Sequence, residues 1–291
     1  MSVPAALMGI ILIWSTTPLA IKWSSEEVGF LFGLSARMSL GVVICLTLLV
    51  LLRQPFKWHR AARHTYLASG LGLYFAMMCV YWGAQYISSG LVAVVYGLLP
   101  MLTFFISAIL LGDSLRQPAK LLAALFGFVG LLVVFNPQDG VSAMAVAGVA
   151  AVFASAAIHS VSMIWVKRIA AEISALSVTT GGLIVAVPLY LCTWLLFDGQ
   201  LPVMLSDKTI GSIVYLGVMG SVIGFMAFYY ALRYVSASTI ALLTLITPVL
   251  ALALGYWFNH EPLSAEIITG AMFIILGLAL HNWGGKIFRP D

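Results

Sequence analysis

One pattern recurs from end to end of the chain: a run of about 20 apolar residues, a short polar break, then another apolar run. A helix of that length spans the hydrocarbon core of a bilayer, and inside a bilayer the backbone must satisfy its own hydrogen bonds. Ten such runs lie near residues 5–23, 28–52, 66–86, 90–111, 119–136, 143–166, 174–197, 209–232, 238–258 and 266–283. The breaks are short (SSEE, RQPFKWHRAARH, ISSG, GDSLRQPAK, NPQDG, KRIAAE, DGQLPVMLSDK), so none holds a soluble domain. Strands of a membrane barrel would read as short alternating segments, not continuous ones. An all-α membrane protein of ten transmembrane helices is expected.

Composition excludes the alternatives. Only 8% of the 291 residues are charged and 62% are hydrophobic, whereas soluble domains carry roughly a quarter charged residues. A net charge of +4 is too mild to suggest nucleic acid. Cys45, Cys79 and Cys192 sit singly inside apolar runs, which argues against a disulfide framework or a metal cluster. The first residues, MSVPAALMGI, lack the basic stretch of a cleavable leader, so the first apolar run is expected to be retained.

Basic residues set the expected sidedness. With a cytoplasmic N-terminus, the cytoplasmic loops hold eleven of the 14 Lys and Arg residues, the opposite loops hold Lys22 and Lys208, and Arg37 lies within a span. Both termini are therefore expected in the cytoplasm.

The chain also repeats itself. Moved by 148 residues, YWGAQYISSGLVAVV falls on YYALRYVSASTIALL, and Pro100 falls on Pro248. Gly72/Gly220, Met78/Met226, Tyr81/Tyr229, Tyr86/Tyr234 and Ser88/Ser236 match in the same register, and Asp113 faces Glu261. Trp14, with Lys22 eight residues later, resembles His159 with Lys167 eight later. Two five-helix units are expected, 1–138 and 139–291. Because five is odd, the second enters the membrane from the opposite side, as in transporters built from inverted repeats.

Proline lacks the N–H of a helical hydrogen bond. Pro100 thus frees the Tyr96 carbonyl and Pro248 frees the Thr244 carbonyl, each costly in lipid unless protein, water or a ligand satisfies it. Two such breaks at matching depth point to a shared polar cavity lined by Tyr96, Pro100, Thr244 and Pro248. Simple kinking for helix packing is the competing explanation.

The stretch YYALRYVSASTIALLTLITPVLALALGYWFNHEPLSAEIITGAMFIILGLAL at 229–280 resembles the second half of an EamA domain, with its aromatic helix, central proline and acid before a glycine-bearing final helix. IWSTTPLAIK resembles the opening helix of that family, and the first half shows the same order. The chain is similar to members of the drug/metabolite transporter superfamily, most of all to bacterial inner-membrane amino-acid exporters of the YddG type. Ser15, Asp113 and FNHE depart from the usual pattern and weaken the subfamily match. The resemblance implies ten helices, a central site between the halves, and export of small metabolites without a cofactor.

Side chains that lipid would not favour mark the candidate substrate site. Tyr74, Met78, Tyr81, Trp82 and Gln85 share one helical face, and Met226, Tyr229 and Tyr230 share the matching face in the second half. Met adapts to varied apolar ligands, and aromatics add flat contact with a polar tip. Helix–helix packing explains the same stripe, and Tyr86 and Tyr234 read as interfacial residues. His159 lies deep in the sixth span, where an ionisable group is a functional candidate. Arg37 cannot shed its charge. It could hold a substrate carboxylate, but the family resembled carries Arg here whatever it transports, which favours a gating or structural role.

Apart from Glu266, the first residue of the last run, no Asp or Glu falls within a predicted span. A carboxylate relay or sodium site has no residue to use, which leaves facilitated export, with His159 the one proton carrier available. Sparse mid-membrane positive charge also argues against phosphorylated sugars. The expected function is export of amino acids with aromatic and other apolar side chains by alternating access, with drug or metabolite export as the alternative. A membrane-embedded enzyme would need clustered groups, and the five histidines are scattered. A small-molecule substrate and the bilayer are the expected partners, with no nucleic acid; a monomer is compatible with this reading.

Overall fold

Where the sequence has its apolar runs the computed structural model has helices and, among the described residues (3–112, 118–134, 142–169, 171–234 and 237–288), no strand. The side chains at 111, 232–233, 237–245, 282 and 285–288 lie outside that description. The helices are α1 (Val3–Ser25), α2 (Gly29–Leu51), α3 (Arg60–Gly83), α4 (Ser89–Tyr96), α5 (Leu99–Leu111), α6 (Pro118–Val134), α7 (Ala143–Ile169), α8 (Ala175–Phe197), α9 (Asp207–Tyr215), α10 (Phe225–Tyr234), α11 (Ala237–Asn259) and α12 (Ala265–Phe288). A π-helical segment, Leu216–Gly224, joins α9 to α10. Among the described residues six helical stretches are long and apolar enough to cross a membrane: Val3–Ser25, Gly29–Leu51, Ser89–Leu110, Ala143–Ile169, Ala175–Phe197 and Asp207–Ala231. Shorter apolar helices accompany them at Pro118–Val134, Ile246–Asn259 and Ala265–His281. Large apolar side chains such as Val50, Phe128, Leu132, Leu196 and Phe197 point outward, as a lipid-facing surface requires.

Local chemistry sets several helix starts. His59 accepts from the Ala62 N–H, so α3 begins at Arg60, six residues earlier than its apolar run, and the basic break becomes its first turns. Ser88, Ser174 and Ser206 cap α4, α8 and α9 through their hydroxyls.

The two prolines behave differently. The fourth apolar run is not one kinked helix: the chain leaves α4 at Gly97 and Leu98 and restarts, with Pro100 in the first turn of α5. Proline is tolerated there because first-turn N–H groups have no intrahelical partner. Pro248 instead lies inside α11, which runs on without interruption. The expected pair of matching breaks is therefore one break and one intact helix. In the second half it is the π segment that interrupts helical geometry.

Packing depends on close backbone approach at small residues. A Cβ on Gly130 would stand 2.6 Å from the Gly270 carbonyl, and one on Gly83 would stand 2.5 Å from the Gly148 carbonyl. These sites bring α6 onto α12 and α3 onto α7, in the manner of membrane helix pairs. Contacts run mainly between the two halves of the chain. α3 packs on α7 and α8, while α1 packs on α9 and α10, and α2 on the π segment. α1 also meets α11, as α7 meets α4 and α5. The pairs α2 with α8, α4 with α11 and α6 with α12 complete the bundle.

Candidate functional site

Between the halves lies a cavity of about 110 Å³. α1 contributes Trp14, Thr17, Pro18 and Ile21; α2 contributes Arg37; α3 contributes Met77 and Val80. Val92, Ala93 and Tyr96 of α4 and Leu99 of α5 come from either side of the helix break. The second half adds His159, Gly220 of the π segment, Phe225 and Thr247. The wall is mostly apolar, with a few polar groups converging on it, as expected of a small-molecule site.

Arg37 is the one charged group on that wall and is 2% exposed. Its Nε donates to Ser221 Oγ at 3.2 Å and its Nη1 donates to Tyr81 OH at 3.1 Å. The guanidinium also stands 5.7 Å from the centroid of the Tyr81 ring. Ser221 belongs to the π segment, so the arginine of one half is seated on the irregular backbone of the other. The neighbouring residue has to be small: a Cβ on Gly220 would come within 3.2 Å of Arg37 Nη2.

Tyr96 reaches Ser155 Oγ at 2.5 Å. Ser155 spends its single proton on the Ala76 carbonyl at 2.6 Å, so the Tyr96 hydroxyl is the donor to Ser155. His159 makes no hydrogen bond among the described residues; its ring lies 5.8 Å from Phe228, which in turn lies 5.4 Å from Trp14.

Of the sequence candidates, Tyr96, His159 and Arg37 come together on the wall. Tyr81 stands behind it as the partner of Arg37. Tyr74 turns to α8, donating to Thr193 Oγ1 at 2.7 Å while Thr193 donates to the Leu189 carbonyl. Met78 packs into the main hydrophobic cluster, Trp82 packs on Tyr86 at 5.0 Å, and Tyr229 packs on Phe228 at 5.4 Å. Pro100 and Pro248 do not line the cavity, although their neighbours Leu99 and Thr247 do. The Thr244 side chain lies outside the described residues.

Sequence reasoning missed Trp14, Thr17, Met77 and Phe225. The repeat held the signal. Met77 and Phe225 are 148 residues apart, as are Leu99 and Thr247, and both members of each pair line the cavity. Trp14 and His159, matched by their following lysines, line it too.

One end of the bundle is closed by a polar network. The buried Glu261 carboxylate accepts from the Ser89 N–H and hydroxyl, the Gly90 N–H and Asn259 Nδ2. Lys22 lies 3.9 Å away and donates to the Ile87 carbonyl, and Trp23 Nε1 donates to Asn259 Oδ1. Among the described residues no group of His, Cys, Asp and Glu could hold a metal ion.

Comparison with known proteins agrees with this architecture. The model of the EamA-like transporter family matches twice, over residues 2–136 and 146–283. The chain is 26% identical to an uncharacterized transporter of Archaeoglobus fulgidus over 267 residues, 91% of this chain and 93% of that protein. It is 22% identical over 280 residues to the uncharacterized transporter YoaV of Bacillus subtilis, 95% of each, and 25% identical over 220 residues to Protein PecM of Dickeya dadantii, 73% of this chain and 70% of that one. A crystal structure of a protein 22% identical in sequence shares the fold with a TM-score of 0.70 over 99% of both chains. With the family model matched in both halves, the chain belongs to the EamA-like transporter family and is a multi-pass membrane transporter.

Proposed function

We infer that the protein exports amino acids, with aromatic and other apolar side chains favoured, across a bacterial inner membrane. Export runs by alternating access of two inverted five-helix halves, 1–138 and 139–291, with both termini in the cytoplasm. The observation that carries this reading is the cavity between the halves, whose lining residues pair across the repeat: Trp14 with His159, Met77 with Phe225, Leu99 with Thr247. Exchanging the halves carries the α3–α7 packing onto α1 with α9 and α10, and leaves α2–α8, α4–α11 and α6–α12 on themselves. Two packings related in this way give two states of similar energy, open to opposite sides.

Apolar side chains fit the Trp14, Met77 and Phe225 wall, and the polar groups fit the small head of an amino acid. Tyr96, His159 and the residues beside Pro100 and Pro248 form the binding surface, with Met78, Trp82 and Tyr229 as its support. Transport is facilitative in this reading, because among the described residues no carboxylate lines the cavity to relay a proton or hold sodium.

Counterflow of radiolabelled amino acids into liposomes containing the purified protein tests this. Uptake of Phe, Leu and Met without a proton gradient is expected. Uptake only of unrelated cationic drugs, or accumulation that requires a proton gradient, overturns the substrate and the facilitative mode respectively.

A further inference from the structure

Arg37 remains cationic at any pH a protein survives. It is 2% exposed, and among the described residues no carboxylate lies within ion-pair distance of it. Its two hydrogen-bonding partners, Ser221 and Tyr81, are neutral hydroxyls that orient the group without neutralising it. They engage Nε and Nη1. Nη2 donates to no group among the described residues and faces Gly220, where a Cβ would stand 3.2 Å from it. A buried cation keeps its charge only where an anion or several hydrogen bonds compensate it. Here the compensation is incomplete on the side that meets the cavity.

We propose that Arg37 is the anchor for the carboxylate of the transported molecule, and that this carboxylate, not an ammonium group, is what the site recognises. The proposal rests on the reading of the cavity as the substrate site and specifies the chemical class it takes: a small molecule with a single carboxylate and an apolar body. The planar guanidinium is pre-oriented by Ser221 and Tyr81, so it offers a fixed donor edge to two carboxylate oxygens. The body then lies against Trp14, Met77 and Phe225. An ammonium group finds no carboxylate among the described residues of the wall, only aromatic faces, hydroxyls and the His159 imidazole. A deaminated acid is thus a ligand as good as the amino acid, and a decarboxylated amine is a poor one.

The test uses the full chain, purified and in liposomes, with phenylalanine, 3-phenylpropionate and phenethylamine as probes. The first arm needs no variant. Each compound competes for labelled phenylalanine counterflow, and binding of each is read in parallel by thermal shift of the detergent-solubilised protein. Phenylpropionate and phenylalanine are expected to compete and to stabilise, with phenethylamine at least about tenfold weaker, the loss set by one charge-assisted pair. The second arm compares Arg37→Lys and Arg37→Gln. The half-saturating concentration is expected to rise several-fold in the lysine variant and further in the glutamine variant, with the discrimination against phenethylamine lost in the latter.

Competition by phenethylamine equal to that of phenylpropionate overturns the proposal, as does a fall in maximal flux with unchanged half-saturation in Arg37→Gln. Absence of binding by both carboxylates overturns it as well. The outcomes separate this inference from the export reading. Binding of phenylpropionate without phenylalanine transport keeps the anion site and rejects amino-acid export. Phenylalanine transport with equal recognition of the amine does the reverse.

Discussion

Glu261 accepts hydrogen bonds from both the backbone N–H and the hydroxyl of Ser89, at 3.0 and 2.8 Å, across 172 positions of sequence. One carboxylate therefore caps the first turn of α4, in the first half, from the loop that joins α11 to α12 in the second. The positive end of the α4 dipole and the Lys22 ammonium both favour the charge there. Removing it in Glu261→Ala leaves the buried Ser89 and Gly90 N–H groups without an acceptor, at a cost of roughly 2–4 kcal/mol. A lower melting temperature in detergent is expected, with Glu261→Gln intermediate because its amide keeps one acceptor oxygen. Identical melting of all three proteins would show that the network contributes nothing to closing this end.

Tyrosines that look alike in the sequence are expected to separate in function. Tyr74→Phe removes a hydrogen bond to Thr193 between α3 and α8, so about 1 kcal/mol of stability is lost while transport kinetics stay unchanged. Tyr96→Phe removes the hydroxyl that donates to Ser155 on the cavity wall, so a similar loss of stability is expected, and there the half-saturating concentration should change as well. The two variants, compared in one flux assay, check the assignment directly; a larger kinetic effect from Tyr74→Phe would move the site toward α8.

Glu27 gives a pH signature at the same end of the bundle as Glu261. Chiefly the Ser206 N–H, then the Ser206 and Thr209 hydroxyls, hold its carboxyl below the usual carboxylate range. A depressed acid stabilises the folded state above its unfolded pKa, and that contribution fades as pH falls through the folded value. Melting temperature is expected to drop on acidification below the ordinary glutamate range, near 4.5, and the drop should be smaller in Glu27→Gln. An equal acid response in both proteins would remove Glu27 as its source.

The helices were legible because lipid leaves a chain so few choices: each apolar run became helix, with ends displaced mainly where a cap intervened, as at His59. The facing of those helices was not legible. A span that is apolar all round carries no polar stripe, so aromatic residues were the available guide, and on α3 they selected Tyr74, Met78 and Trp82 where the cavity takes Met77 and Val80. That error is about one residue, or a rotation near 100°. The better guide was the repeat itself, since positions that coincide under it, such as Met77 and Phe225, meet the same cavity. The π segment had no signature beyond its glycines, and two of them, Gly220 and Gly217, stand where a Cβ would meet Arg37 and Leu40 from another helix.

The unequal prolines make a last prediction. Pro100→Ala restores an N–H that can bond the Tyr96 carbonyl, which allows α4 and α5 to join into one straight helix. A hydrogen bond worth about 1 kcal/mol shifts the balance between bent and straight forms about fivefold. Tyr96 and Leu99 flank the break and both line the cavity, so straightening would rotate them relative to one another. Flux is expected to fall several-fold in Pro100→Ala. Pro248→Ala should leave flux close to wild type, because α11 is already continuous around it. Gly97→Ala gives an independent reading of the same break: its Cβ would stand 2.8 Å from the Val94 carbonyl and 3.3 Å from Ile274, so the local turn must shift and flux must change with no proline altered. Equal losses in Pro100→Ala and Pro248→Ala would mean that both prolines bend their helices during transport. The break at Gly97 and Leu98 would then be one stage of a motion that the two halves share.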